Sequence, residues 1–154
     1  MWEFLPFLNA PEKKILKIAE EINYGIEENT PLCLLGENFF GFLKKKQKVV
    51  VICTENAKRY GGYNFARNHS SEPPFVTGLM IRRAVRHEAV HIAQQCNEGI
   101  LNIAKEKNLT ISPYKLNALK GSVSLTGNEE EEYEAYTLED HPRLIIAALK
   151  KFCF

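Results

Sequence analysis

The spacing of hydrophobic residues predicts an amphipathic helix near the start of the chain. Ile15, Ile18 and Ile22 recur at intervals of three and four residues, so they share one face of a helix that begins near Pro11. Asn9 lies where an N-cap belongs, and proline is well tolerated in a first helical turn. We expect this apolar face to lie in the core.

Shorter apolar runs predict a small β-sheet. Residues 32–35, 39–43 and 48–53 have the length and composition of strands, and the lysine-rich turn at 44–47 would join the last two as a hairpin. Residues 54–75 are rich in Gly, Asn, Ser and Pro and predict a long loop. Such a loop either covers a functional cleft or lies on the surface away from it.

Helical spacing returns in the second half of the chain. Thr77 can cap a helix that continues to about Asn97, and Asn128 can cap another after a stretch, 108–127, that carries no clear signal. The predicted helices lie at residues 77–97, 97–107, 129–139 and 143–152. A mixture of helices with a few strands predicts an α+β fold, and 154 residues suit a single domain over 1–154.

The helix over residues 77–97 contains the sequence His87-Glu88-Ala89-Val90-His91, which has the form H-E-x-x-H. Residues four apart lie roughly 40° from each other around a helix, so His87 and His91 project from one face. Two imidazoles supply half of a tetrahedral zinc shell, and a carboxylate elsewhere would supply a third ligand. Glu88 then lies beside the open position, where it can deprotonate water.

Charge and composition exclude several classes of partner. With 20 basic and 19 acidic residues, the chain lacks the basic excess of a nucleic-acid binder. Arg82, Arg83 and Arg86, with the lysine-rich turn, would be the contacts of such a protein. Asp140 is the sole aspartate, which argues against Asp-rich calcium or magnesium sites and leaves Glu as the carboxylate ligand. The longest aliphatic run, 49–53, is far too short to span a membrane.

The cysteines and the first residues predict a cytoplasmic protein. Cys33, Cys53, Cys96 and Cys153 are scattered without a C-x-x-C pair, so we expect buried thiols in a reducing compartment. Two disulfides would be the alternative for a secreted chain. The residues after Met1 lack the basic segment and the apolar run of a signal peptide.

The third ligand is sought among the glutamates that follow Asn128. Glu129 and Glu130 suit a solvated helix start, and Glu131 occupies the capping-box position. Glu132 and Glu134 remain, and they project to different sides of the helix. The small residue Ala135 would let either side of the helix approach a neighbour closely.

His87-Glu88-x-x-His91 followed by Glu132-Tyr133-Glu134-Ala135 resembles the gluzincin branch of zinc metallopeptidases. In that branch a glutamate three residues before a small residue completes the metal shell, which implies Glu132 as the ligand. Many gluzincins have an aspartate four residues after the ligand to orient a histidine, but Tyr136 occupies that place here. The size resembles single-domain minigluzincins, and the block 86–95 is also similar to small cyanobacterial or cyanophage proteins.

The resemblance implies a zincin-like domain in which a small sheet packs beside the H-E-x-x-H helix and a second helix carries the last ligand. Zn²⁺ would be held by His87, His91 and Glu132, and water activated by Glu88 would attack a peptide bond of a peptide or protein substrate. Residue type alone offers four donors for the tetrahedral intermediate: Tyr136, His141, His69 and Tyr63. The alternative function is a non-catalytic binding module with a structural metal or none.

Overall fold

The computed structural model describes residues 2–62 and 75–154, and these residues form an α+β protein. They contain seven α-helices and one three-stranded sheet. The helices are α1 (Ala10–Glu21), α2 (Thr54–Tyr60), α3 (Phe75–Asn97), α4 (Ile103–Glu106), α5 (Leu116–Thr126), α6 (Glu129–Leu138) and α7 (Pro142–Phe152). The strands are β1 (Gly25–Glu28), β2 (Gly41–Lys44) and β3 (Val49–Ile52), and short 3₁₀ helices lie at Leu5–Phe7, Pro31–Leu35 and Pro113–Lys115.

The backbone separates into two compact units, Met1–Val85 and Arg86–Phe154, with the boundary inside α3. The first unit contains the sheet, whose strand order is β1-β3-β2. β3 pairs with β1 in parallel and with β2 antiparallel, so Val50 lies opposite both Ile26 and Leu43. The expectation of one domain over residues 1–154 stays a prediction.

The predicted first helix and hairpin are confirmed. α1 buries Ile15, Leu16 and Ile18, and the carboxylate of Glu12 accepts a hydrogen bond from the Asn9 backbone N–H at 3.0 Å, which ties down the helix start. β2 and β3 form the hairpin, and β3 is the central strand of the sheet, which explains why its residues 50–52 are buried.

The strand predicted at residues 32–35 is wrong. These residues belong to a 3₁₀ helix that starts at Pro31, whose ring fixes φ and removes a backbone donor. Only Cys33 of this segment is buried, whereas Leu34 is 84% exposed, so the run of apolar residues does not reflect a buried strand. The third strand of the sheet is β1. It contains a single large aliphatic residue, so its sequence lacks the apolar pattern of a strand.

The long loop predicted at residues 54–75 is wrong in its first part. Residues 54–60 form α2, which is stabilised by tertiary contacts: the amide of Asn56 donates to the carbonyls of Cys33, Gly36 and Phe39 at 2.9 to 3.1 Å. The rest of that prediction, including Tyr63, Phe65 and His69, lies outside the described residues.

Helix boundaries in the second half also differ from the predictions. α3 starts at Phe75, and Thr77 is an interior residue whose hydroxyl donates to the Ala57 carbonyl at 3.1 Å, so it is not a cap. The helix predicted at 97–107 is reduced to α4, because the backbone takes positive φ at Glu98 and Asn102. The stretch 108–127, which carried no clear signal, contains α5.

The prediction of free thiols is also wrong, because all four cysteines are paired. Cys33 bonds to Cys53, and Cys96 bonds to Cys153, with Cα separations of 5.6 and 5.2 Å that lie in the normal range for a disulfide. The partners lie 20 and 57 residues apart, and pairing over such distances leaves no local sequence signature. Within the described residues, no helix is both long and apolar enough to cross a membrane.

We expect freshly purified, unreduced protein to show no reactive thiol after denaturation. Replacing Cys96 and Cys153 together by Ala should lower the free energy of unfolding by about 2–4 kcal/mol, because the unfolded chain loses a cross-link. Thiol titration, intact mass and urea unfolding measure these quantities. Four reactive thiols in the unreduced protein would contradict the pairing.

Candidate metal centre

The H-E-x-x-H residues lie in the second half of α3, on a buried part of the helix. His87, Glu88 and His91 are each 5–7% exposed. The neighbouring apolar residues Ala89 and Ile92 are buried as well. Because the backbone here is regular helix, the two imidazoles leave α3 one turn apart and on the same face.

α6 presents the carboxylate that meets these histidines. The side chain of Asn128 accepts a hydrogen bond from the Glu131 backbone N–H at 3.0 Å, so the predicted cap is confirmed and sets the first turn of the helix. Four glutamates in that turn are favoured by the helix dipole. Glu132 and Ala135 are buried on α6.

Three side chains converge closely. Nε2 of His87 lies 3.1 Å from Glu132 Oε1, and Nε2 of His91 lies 3.2 Å from both oxygens of the same carboxylate. The two Nε2 atoms are 3.2 Å apart. Among the described residues, this is a group whose ligand atoms are close enough to hold one metal ion.

The opposite nitrogen of His87 is bound to a carboxylate that sequence reasoning did not single out. Nδ1 of His87 donates to Glu139 Oε2 at 3.1 Å. The other oxygen of Glu139 forms an ion pair with the buried ammonium of Lys115 at 2.8 Å, and Lys115 also donates to Asp140 and to the Tyr136 carbonyl. A carboxylate held in this way keeps the proton of His87 on Nδ1 and leaves Nε2 with its lone pair.

A neutral partner keeps the proton of His91 on Nδ1, as Glu139 does for His87. Its Nδ1 lies 2.7 Å from Oε1 of Gln94, one turn further along α3. A carbonyl oxygen only accepts, so Nδ1 is the protonated nitrogen and Nε2 carries the lone pair. Both histidines therefore direct Nε2 lone pairs toward the Glu132 carboxylate.

This donor set fits a zinc ion. In a tetrahedral site with bonds of about 2.0–2.1 Å, ligand atoms lie about 3.3 Å from each other. The observed separations of 3.1 and 3.2 Å are close to that value. Three acceptor groups at such distances repel each other unless a cation, either a proton or a metal ion, lies between them.

The pKa shifts of the metal-free protein agree with the need for a cation between these three groups. Burial alone would lower the pKa of His87, but the Glu132 and Glu139 carboxylates outweigh it and hold that pKa well above its ordinary value. Burial would raise the pKa of Glu132, but its interactions with the His87 and His91 imidazoles outweigh this effect and hold that pKa far below its usual range. A shared proton thus compensates the cluster when no metal is bound.

Glu88 has a different environment from Glu132. Burial raises its pKa, against the opposing effect of the His87 and His91 imidazoles. Its carboxylate is 5% exposed and interacts electrostatically with both imidazoles. A buried carboxylate with a raised pKa next to the histidines is suited to accept a proton from water.

The two competing glutamates of α6 point to different places. Glu132 meets the histidines, whereas Glu134 accepts hydrogen bonds from Gln94 and from the backbone of Leu101 and Asn102. Only Glu132 belongs to the group that could hold an ion.

Of the four predicted donors, the two that lie in the described residues place no hydrogen-bond donor at the cluster. The Tyr136 ring packs on His87 at 4.4 Å between centroids, but its hydroxyl contacts Ser122 Oγ at 2.6 Å and the Ala118 carbonyl. His141 lies at the start of α7, and within the described ranges its ring makes no hydrogen bond to the cluster. Tyr63 and His69 lie outside the described residues.

Glu139, Gln94 and Lys115 were missed by sequence reasoning. Glu139 lies seven residues after Glu132, a spacing that returns to within roughly 20° of the same helix face, so helix geometry could have identified it. Gln94 follows His91 by three residues, and residues with this spacing are neighbours on a helix, so the spacing could have identified it too. Lys115 lies before α5, in the stretch without a clear signal, and only the folded backbone brings it to Glu139.

These observations define an α+β protein with a buried cluster of two histidines and a glutamate. The chain belongs to the family described as "Domain of unknown function (DUF8637)", whose model matches residues 4–154. Comparisons with curated proteins and with solved structures gave no match.

We expect one zinc ion per chain after reconstitution, because the cluster supplies three ligands at suitable separations. Elemental analysis of wild type, a His87→Ala/His91→Ala double variant and a His141→Ala control measures this stoichiometry. The control should retain zinc and the double variant should lose it. Equal zinc content in wild type and the double variant would contradict the site.

Two carboxylates should affect zinc affinity to different degrees. Glu132→Gln removes a ligand and should abolish tight binding, whereas Glu139→Gln removes only the charge behind His87 and should raise the dissociation constant by about 10- to 100-fold. Competition with a chromogenic chelator measures both constants. Glu130→Gln, an exposed neighbour on α6, is the matched control. A dissociation constant for Glu139→Gln equal to that of the control would contradict its contact with His87.

Proposed function

We propose that this protein is a zinc-dependent metallopeptidase in which Glu88 is the general base. The observation that carries the proposal is the convergence of three lone-pair donors, His87 Nε2, His91 Nε2 and the Glu132 carboxylate, within 3.2 Å of one another in a buried place. The buried carboxylate of Glu88 follows His87 directly on α3. The proposal rests on this geometry and on the gluzincin resemblance together.

The metal would be held by His87, His91 and Glu132. When bound there, zinc supplies Lewis acidity to the peptide carbonyl and makes water more acidic. Glu88 takes the proton of the attacking water and returns it to the leaving amine. Because burial raises the pKa of Glu88, the carboxylate is a stronger base than an exposed one and can act nearer to neutral pH.

The chain's other residues keep the two imidazoles in the form that this chemistry requires. Glu139, itself neutralised by Lys115, keeps the His87 proton on Nδ1. Tyr136 covers the His87 ring, but its hydroxyl is engaged by Ser122, so it is a poor choice for stabilising a tetrahedral intermediate. We therefore propose that Tyr136 packs against His87 and that another group donates to the tetrahedral intermediate.

A zincin-like fold is part of the proposal. Its support is the pairing of a long H-E-x-x-H helix, α3, with a second helix, α6, that carries the third glutamate. The sequence lacks the aspartate that orients a histidine in many gluzincins, because Tyr136 occupies its place. Glu139 makes that contact from three residues further along, which supports the gluzincin reading.

A cytoplasmic location stays a prediction from the sequence. Two disulfides bear on it, because cytosolic thiols are normally kept reduced and disulfides persist in oxidising compartments. The thiol titration described above therefore tests this expectation as well.

Glu88→Gln should separate a peptidase from a binding module. The variant keeps all three ligands, so we expect unchanged zinc content, but it removes the base and should lower peptide hydrolysis by about 10²–10⁴-fold. Zinc-loaded wild type, Glu88→Gln and the Glu130→Gln control are compared on a fluorogenic peptide library.

Equal hydrolysis by wild type and Glu88→Gln would contradict the mechanism. If neither protein hydrolyses any peptide while both bind zinc, the non-catalytic module with a structural metal becomes the better description.

A further inference from the structure

His91 depends on an amide that could be oriented in two ways. Gln94 contacts Nδ1 of His91 with one end of its side-chain amide, at 2.7 Å, and both residues are buried. If the carbonyl end faces the imidazole, Nδ1 carries the proton and Nε2 is free to bind a metal. If the NH₂ end faces it, the proton moves to Nε2 and blocks metal binding.

The other end of the Gln94 amide decides between these two orientations. It lies 3.0 Å from the Glu131 carbonyl oxygen and 2.9 Å from Glu134 Oε1. Both partners are acceptors, so only the NH₂ end can face them, and the carbonyl end is left for His91.

Glu134 is held firmly enough to impose this choice. It is 5% exposed, its Oε1 also accepts from the Leu101 N–H at 2.7 Å, and its Oε2 accepts from the Asn102 N–H at 2.8 Å. Two backbone donors fix the carboxylate in place. The Glu131 carbonyl alone would be a weaker constraint, since it is neutral and offers a single contact to the amide.

We infer that Glu134 is a positioning residue that acts through Gln94 to keep the His91 proton on Nδ1 and so leaves Nε2 free for the metal. The inference rests on the proposed metal site but assigns a role that the family resemblance does not carry. It also gives Glu134 a task different from that of Glu132. The effect is transmitted over two hydrogen bonds, from Glu134 to Gln94 and from Gln94 to His91.

A double-mutant cycle on zinc affinity tests the coupling. Glu134→Gln should raise the zinc dissociation constant by up to about tenfold, and Gln94→Met by about tenfold or more. In the Gln94→Met background, Glu134→Gln should have no further effect, because the amide through which it acts is gone. Glu130→Gln is the control in both backgrounds. If Glu134→Gln raises the constant by the same factor in both backgrounds, Glu134 has only a structural role.

A second measurement reads the proton directly and does not require zinc. Long-range ¹H–¹⁵N spectra should show a proton on His91 Nδ1 in wild type and a loss of it, in part of the molecules, in Glu134→Gln. A fully protonated Nδ1 in the Glu134→Gln variant would overturn the inference. If wild type binds no zinc, the proposed function fails, but this measurement still decides the role of Glu134.

Wild type alone provides a test should the variant fail to fold. The two side-chain amide protons of Gln94 are hydrogen-bonded to Glu131 and Glu134, so both should exchange slowly with solvent. Exchange at the rate of a solvated amide would show that Glu134 does not hold Gln94, and would overturn the inference.

Discussion

The arrangement of the second half of the chain depends on the burial of carboxylates around two histidines. Glu88, Glu132, Glu134 and Glu139 are each at most 5% exposed. The matching buried cation is Lys115, which neutralises only one of them. Burying charge without compensation is costly, so the negative excess favours a further cation, and the Nε2 atoms of the histidines mark where it is best placed.

The partners of the histidines lie on helices, and this limits how far they can move. His87, His91 and Gln94 belong to α3, Glu132 and Glu134 to α6, and Glu139 directly follows α6. Regular helices hold ligand atoms more precisely than loops do, which is what a metal with short, directional bonds requires. The cost is that each carboxylate needs its own donors, and these come from the backbone at Leu101 and Asn102 and from Lys115.

Under the proposed gluzincin relationship, Glu139 would take the role of the aspartate that orients a histidine in that branch. Gluzincins resemble this chain at the H-E-x-x-H block and at Glu132, but position 136 holds a tyrosine. A residue seven positions after the ligand returns to nearly the same face as one four positions after it, and a glutamate reaches further than an aspartate. Glu139 can therefore contact His87 from the next turn, while the Tyr136 ring covers the same imidazole.

The sequence by itself determined the features that rest on local periodicity and capping: α1, the β2–β3 hairpin, α6 with its Asn128 cap, α7, and a helix that places His87 and His91 on one face. It could not determine features whose stability comes from residues distant in the chain. β1 exists because β3 pairs with it, α2 because Asn56 reaches three carbonyls, and both disulfides because folding brings their cysteines within 6 Å. For the site, the capping pattern at the start of α6 narrowed the third ligand to Glu132 or Glu134. Only the tertiary structure places Glu132 at the histidines, because the rotation of α6 is set by what its side chains contact.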